Sequence, residues 1–358
     1  MKKILVIQQK MIGDVLTSTI LCEHLKVHFP ESQVHFVINE NTKAVVENNP
    51  HIDKIVLFKS LYRRNKLEFY KFLIALKKEN YAVVIDVYCK LESNFISFFT
   101  GASIKISYKK WYSKFIYSHV FTYVNNENTK LGFAIENRLL LLSPIISELK
   151  QPDIAPKIHL LDSELAKGGQ LLKEHEIETS KPIIMVGILG SSPKKSYPLE
   201  YLSRVIDFIT EDFDVTLLLN YIPCQQEKME ELRSLCSEKS RNVIREDVFC
   251  PSLRSFIGLL GQCDGYIGNE GGAGNMAKSL GVPNFSIFSP WISKKAWLTF
   301  NENSANQATH LSDFQPEILA IPKKIRKKNA LDFYAAFTPE LFEKQLRSFI
   351  ENKIFPNK

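Results

Sequence analysis

No stretch of the 358-residue chain approaches the roughly 18 uninterrupted apolar residues that a membrane-spanning helix needs. The apolar run inside the opening MKKILVIQQK lasts four residues before Gln8, Gln9 and Lys10 interrupt it, too short for a signal peptide. A soluble or peripheral protein is expected. The six cysteines (Cys22, Cys89, Cys224, Cys236, Cys250, Cys263) include no C-x-x-C pair and no partner His at zinc spacing. Reduced thiols in a cytosolic protein are the simplest reading. The first strand-helix turn lacks G-x-G-x-x-G, so the dinucleotide fingerprint is absent. Acidic residues are scarce in one region: residues 54–114 carry thirteen Lys or Arg against four Asp or Glu, a local balance of +9 in a chain whose total is +7.

What is present is a globular composition, 45% hydrophobic without a long biased tract, and length enough for two cores. Within the basic half, ISYKKWYSKFIY (Ile106 to Tyr117) interleaves Lys109, Lys110 and Lys114 with five aromatic residues. Two readings stand: an amphipathic helix with core aromatics, or a segment lying on an anionic bilayer. No nucleic-acid motif accompanies the charge, so no nucleic-acid partner is expected. PKKIRKK, Pro322 to Lys328, reads as a solvated loop.

Strand and helix signals alternate twice along the chain, the pattern of an α/β fold with parallel sheets. In the first half, strands are expected at Lys3–Ile7, Val34–Ile38, Lys54–Phe58 and Tyr81–Val87, with helices at Val15–Phe29, Leu67–Glu79, from Ser93, and at about Phe133–Leu142. A stretch bearing Pro144, Pro152 and Pro156 looks like an interdomain connection. The alternation restarts at Pro182–Ile188 and continues to a strand at Asn284–Phe288. This divides the chain into a first domain (1–160), a linker region (161–180), a second domain (181–338) and a C-terminal helix (339–358) that can pack back toward the first domain. Two Rossmann-like, doubly wound domains facing a central cleft are expected, with ligands at the carboxyl ends of the strands.

Four constellations lie at those strand ends. In KMIGDV, Gly13 permits a tight turn and Asp14 is either a helix N-cap or a general base. In GILGSSPKKSYP, the small residues around Ser191 and Ser192 let backbone amides approach an anion, and Lys194 or Lys195 can supply charge; a solvated loop is the alternative. Glu227 can accept from ribose hydroxyls or complement a helix dipole. In GNEGGAGN, Glu270 precedes Gly271, Gly272, Ala273, Gly274 and Asn275. Glycines cost roughly 0.5–1 kcal/mol each in regular structure, so the cluster is either a diphosphate cradle at a helix start or a chain-reversing turn. Two metal patterns are weak. Asp212 and Asp214 sit before a strand, at the wrong end for the cleft, and His24 and His28 lack the intervening glutamate of a zinc protease and read as surface histidines.

Taken together, ILVI (Ile4 to Ile7) with GDVL (Gly13 to Leu16), KSYP (Lys195 to Pro198), and GNEGG (Gly268 to Gly272) with AKSLGVP (Ala277 to Pro283) resemble glycosyltransferase family 9, the ADP-heptose:lipopolysaccharide heptosyltransferases. The resemblance implies a GT-B fold and inverting glycosyl transfer without a metal or other cofactor. The co-substrate would be a nucleoside-diphosphate sugar, ADP-linked. It implies that Asp14 is the base for the acceptor hydroxyl, with Lys10 and Gly13 on the acceptor side. Lys195, with Ser191 and Ser192, would bind donor phosphate, Glu227 the ribose, and Glu270 to Asn275 the diphosphate and sugar. The acceptor would be lipopolysaccharide core or another anionic glycan, met at the inner face of the inner membrane. The chain departs from the family where Asp-Thr-Gly and a following His become Glu270, Gly271, Gly272 and Asn275, and where an Arg becomes Gln8. Two other readings share the architecture: a sugar-nucleotide 2-epimerase-like isomerase and a non-catalytic sugar-nucleotide binder.

Overall fold

In the computed structural model of the chain, residues 3–124, 131–151, 154–299 and 305–355 are described; Pro152, read above as part of the interdomain stretch, lies outside them. The chain divides into two compact units, Met1–His159 and Leu160–Lys358. Among the described residues no helix is long and apolar enough to cross a membrane.

In the first unit, β1 (Lys3–Gln8) leads into α1 (Ile12–His28), followed by β2 (Gln33–Asn39), β3 (Lys54–Phe58) and α2 (Lys66–Lys78). Then come β4 (Val83–Asp86), α3 (Leu91–Phe99), β5 (Ile104–Tyr108), β6 (His119–Phe121) and α4 (Phe133–Leu140). The strands are all parallel, in the order β3-β2-β1-β4-β5-β6. Successive residues Ile4, Leu5, Val6 and Ile7 are all 0% exposed, so both faces of β1 are covered. That is why its apolar run is continuous rather than alternating.

The second unit begins with α5 (Asp162–Glu174), then β7 (Ile183–Gly187), α6 (Leu199–Asp212), β8 (Thr216–Asn220), α7 (Gln226–Leu235) and β9 (Ile244–Arg245). It continues through α8 (Leu253–Leu260), β10 (Gly265–Asn269), α9 (Gly272–Leu280), β11 (Asn284–Ile287), β12 (Asn306–Thr309), α10 (Lys323–Lys328) and α11 (Glu343–Phe349). Its parallel sheet has the order β12-β11-β10-β7-β8-β9. Counted from each unit's first strand, both sheets follow the doubly wound order 3-2-1-4-5-6. The direction of winding reverses between β1 and β4 in one unit and between β7 and β10 in the other.

Five expectations change. The segment Ile106–Tyr117 is not a helix: Ile106 to Tyr108 complete β5, and the rest is a looped turn leading to β6. Its aromatic and lysine content obscures the β period. His24 is no surface residue; it is 0% exposed, and burial lowers its pKa to about 4. PKKIRKK is the helix α10 rather than a solvated loop, with Arg326 only 8% exposed. Residues 161–180 hold a helix, α5, where the sequence places one at Ser163–His175, but it belongs to the second unit rather than to a linker: Glu164 pairs with Arg254 of α8 at 2.7 Å. The C-terminal segment places Phe349, Ile350 and Ile354 in the second unit's own core.

Candidate active site

The first unit's candidate group sits where its winding reverses, just after β1. Helix α1 begins at Ile12 with Met11 as N-cap, so Asp14 occupies the third helical position rather than the cap. The helix dipole favours a carboxylate there. The Asp14 carboxylate accepts from Lys10 Nζ at 3.0 Å and faces Arg138 Nη2 at 3.4 Å, and its side chain is 14% exposed. Arg138, on α4, is 5% exposed. It donates through Nη2 to the Asp14 backbone oxygen at 3.2 Å and through Nε to Ser18 Oγ at 2.9 Å. Ser18 Oγ in turn donates to the Asp14 carbonyl at 2.7 Å. Gly13 is buried behind Asp14, and its carbonyl accepts from Thr17 Oγ1 at 2.8 Å. The aspartate is thus held by a buried cation from behind and an exposed one in front, an arrangement that fixes the direction of its carboxylate.

The second unit places two loops at its own reversal, after β7 and after β10. Asn269, at the end of β10, ties them together. Its Oδ1 accepts from Tyr197 N at 2.6 Å, and its Nδ2 donates to the Gly187 and Ile188 carbonyls at 3.1 and 3.2 Å. Gly268 is a packing requirement: its φ is +155°, and a Cβ there would stand 2.5 Å from the Gly187 carbonyl oxygen. Gly271 is different. Its backbone is extended, and a Cβ would meet nothing within 4 Å, so neither conformation nor packing calls for glycine. It is the N-cap of α9 and makes no side-chain cap, leaving the first-turn amides of Gly272, Ala273 and Gly274 without an intrahelical acceptor. Bare backbone over an uncapped helix start is the arrangement that receives an anion.

Asn275 does not reach outward. It is 7% exposed, and its Nδ2 donates to the Gly271 carbonyl at 2.8 Å, fixing the turn. Glu270 is half-buried, its amide donating to the Ile287 carbonyl at 2.9 Å. In the loop after β7, Ser191 and Ser192 are exposed, and the Ser192 carbonyl accepts from Lys195 N at 2.8 Å and from Ser196 Oγ at 3.0 Å. Ser196 Oγ also accepts from Gly190 N at 3.0 Å. A cavity of about 550 Å³ beside this loop is lined by Ser191, Ser192, Tyr197, Gln225 and Lys228, among others. Glu227 is exposed in the first turn of α7, flanked in sequence by two of those lining residues but not itself one.

The sequence pattern marks Asp14 and the glycine turn but not Arg138 or Asn269. A polar residue ending an apolar strand, as Asn269 does, is a signal; for Arg138, in a helix remote along the chain, there was none. Among the described residues no cluster of three His, Cys, Asp or Glu side chains could hold a metal ion. Asp212 is paired with Arg347, and Asp214 with Lys181 at 3.0 Å.

A family model described as glycosyltransferase family 9 (heptosyltransferase) matches residues 69–314. Lipopolysaccharide heptosyltransferase 1 of Campylobacter coli is 24% identical over 296 residues, covering 80% of this chain and 83% of that protein. A glycosyltransferase family 9 structure from Veillonella parvula superposes with a TM-score of 0.72 at 16% identity, covering 94% of this chain and 98% of that one. Escherichia coli heptosyltransferase WaaC with ADP-2-deoxy-2-fluoro heptose superposes with a TM-score of 0.62 at 16% identity, covering 88% of this chain and 99% of that one. With two doubly wound parallel-sheet units of GT-B type, the chain belongs to glycosyltransferase family 9, the heptosyltransferases, and is a glycosyltransferase.

Proposed function

We propose that the protein transfers heptose from ADP-heptose, with inversion, onto lipopolysaccharide core or a related anionic glycan. The observation that carries this reading is the open turn at Gly271: an uncapped helix start beside the Lys195 loop, in a family with a solved member described with an ADP-heptose analogue. In this reading the first-turn amides of α9 and Lys195 receive the donor diphosphate, and the cavity beside Ser191 and Ser192 receives the nucleoside, with Glu227 near its ribose. Glu270, being anionic, turns from the phosphates toward sugar hydroxyls. Asn275 keeps the turn in shape. Lys10 and Gly13 belong to the acceptor side.

Asp14 accepts the proton of the acceptor hydroxyl as that oxygen attacks the anomeric carbon. The bond from that carbon to the β-phosphate oxygen breaks, and ADP departs with the electron pair. A positioned general base supplies roughly 10²- to 10⁴-fold. The growing charge on the diphosphate is met by amides and ammonium groups, already in place, rather than by a metal ion. Such an acceptor lies at the cytoplasmic face of the inner membrane, and the protein would work there as a cytoplasmic, peripheral enzyme. The loop after β5 supports this, because Trp111 and Phe115 are 87% and 80% exposed beside the exposed Lys109 and Lys114.

The test is Asp14→Asn with labelled sugar nucleotides and core acceptors. Transfer should be lost while ADP affinity stays within about two-fold of the wild type. Normal turnover in the variant removes Asp14 from the chemistry. Isomerisation of the donor without transfer, or binding without turnover in the wild type, would replace this reading by an isomerase or a non-catalytic binder.

A further inference from the structure

The basic helix α10 is not absorbed by the site described so far, yet it lies against it. Trp291 follows β11, and three ammonium groups gather over its ring: Lys195 Nζ at 5.6 Å from the ring centroid, Lys323 Nζ at 5.8 Å and Lys327 Nζ at 4.8 Å. The gathering is built rather than incidental. Trp291 Nε1 and Ser289 Oγ both donate to the Lys194 carbonyl, at 2.9 and 2.7 Å, which seats the Lys195 loop on the segment after β11. Arg326 donates through Nη1 to the Pro290 carbonyl at 2.9 Å and through Nε to the Ile321 carbonyl at 3.1 Å, which pins α10 to the same segment. Lys194 Nζ donates to the Lys328 carbonyl at 3.3 Å, closing the contact.

Three like charges over one ring repel one another, and the indole face offsets only part of that repulsion. Neither Lys195 nor Lys327 has a carboxylate within ion-pairing range among the described residues. A multiply charged anion is the complement of such a cluster, and the cluster sits at the carboxyl ends of β7 and β11 in the unit that carries the Gly271 turn.

We propose that Lys323 and Lys327, arrayed with Lys195 over Trp291, form a phosphate-binding subsite that holds the sugar-bearing β-phosphate of the donor and stabilises ADP as the leaving group. This rests on the donor-binding reading above. The lysines of α10 would then serve as second and third cations for the diphosphate, contributing most when its charge grows during transfer. Phosphate on the acceptor has the same chemistry, so the experiment separates the two sources.

Binding of ADP, AMP and adenosine is measured by calorimetry on the full chain, as wild type and as Lys323→Gln, Lys327→Gln, Lys327→Arg and Lys195→Gln, at several salt concentrations. Lys323 and Lys327 are exposed, so the fold tolerates the exchange, which circular dichroism checks. Each Gln variant on α10 should weaken ADP roughly ten-fold or more, leave AMP and adenosine within about two-fold, and flatten the salt dependence of ADP binding. Lys327→Arg should retain most of the affinity. If ADP binds the α10 variants as it binds the wild type, the donor subsite is overturned. In that case a raised acceptor KM would assign the lysines to acceptor phosphate instead. If Lys195→Gln alone loses ADP, the donor reading stands without α10; if the wild type binds no ADP, both fall.

Discussion

Substitution of two glycines three positions apart should have separate consequences, one for stability and one for ADP binding. At Gly268 a Cβ would stand 2.5 Å from the Gly187 carbonyl oxygen and 2.7 Å from Gly187 Cα, both backbone atoms of the neighbouring strand, and φ is +155°. Alanine there costs about 1–2 kcal/mol in backbone strain and about 1–3 kcal/mol in overpacking, so Gly268→Ala should lose roughly 2–5 kcal/mol of unfolding free energy. At Gly271 a Cβ meets nothing within 4 Å and the backbone is extended. Alanine there gains about 0.4–1 kcal/mol by restricting the unfolded chain, and loses a similar amount as a poorer N-cap, so stability should stay within about 1 kcal/mol of the wild type. The added methyl group nevertheless stands where the diphosphate is proposed to lie over the amides of α9. ADP affinity in Gly271→Ala should fall ten-fold or more, equivalent to about 1.4 kcal/mol. Urea denaturation of the apoprotein and calorimetric titration with ADP read the two quantities separately. Unchanged ADP affinity in Gly271→Ala would refute the cradle, and a fully stable Gly268→Ala would refute the packing argument.

Arg138→Met removes the buried cation behind Asp14 and leaves the Asp14 and Ala134 carbonyls without its donors; about 2–4 kcal/mol of stability and most of kcat should be lost with ADP affinity unchanged, and a normal kcat would show that Lys10 alone orients Asp14. Lys278 donates to the Trp297 carbonyl at 3.2 Å, and burial lowers its pKa from 10.5 to about 8, partly opposed by Glu270. The unfolded chain therefore binds more protons than the folded one between those values, so this residue's stability contribution is present above pH 10.5 and lost as pH falls through about 8. The unfolding free energy of the wild type minus that of Lys278→Met should rise by roughly 1.4 kcal/mol per pH unit across that window, and a flat difference would contradict the assignment. Trp111→Ala with Phe115→Ala should reduce retention by liposomes containing anionic lipid at low salt several-fold without affecting ADP binding, since each exposed aromatic group carries an interfacial contribution of its own; equal retention would remove this loop from the membrane contact.

Much of the fold was legible because a parallel strand covered on both faces reads as an unbroken apolar run. ILVI at β1 is of that kind, and the polar Gln8 that ends it marks a strand end where ligands gather. The strand β5 and its partner β6 escaped because lysine and aromatic residues interrupt the period, and only pairing makes them strands, β5 with β4 and β6 with β5. His24 escaped because its spacing to His28 is the same whether α1 presents it to water or to the core, and the covered face of a helix is decided by what packs on it.

The alternation of elements, the two-unit division, and the placement of Asp14 and the glycine turn after strands are all written in local periodicity. Tertiary structure decided what those residues face. Arg138 reaches Asp14 from 124 positions away, and Lys327 reaches the Trp291 ring that Lys195 also covers. Both approaches follow from parallel strands whose crossover connections return distant segments to the same sheet edge, a distance that no local pattern records.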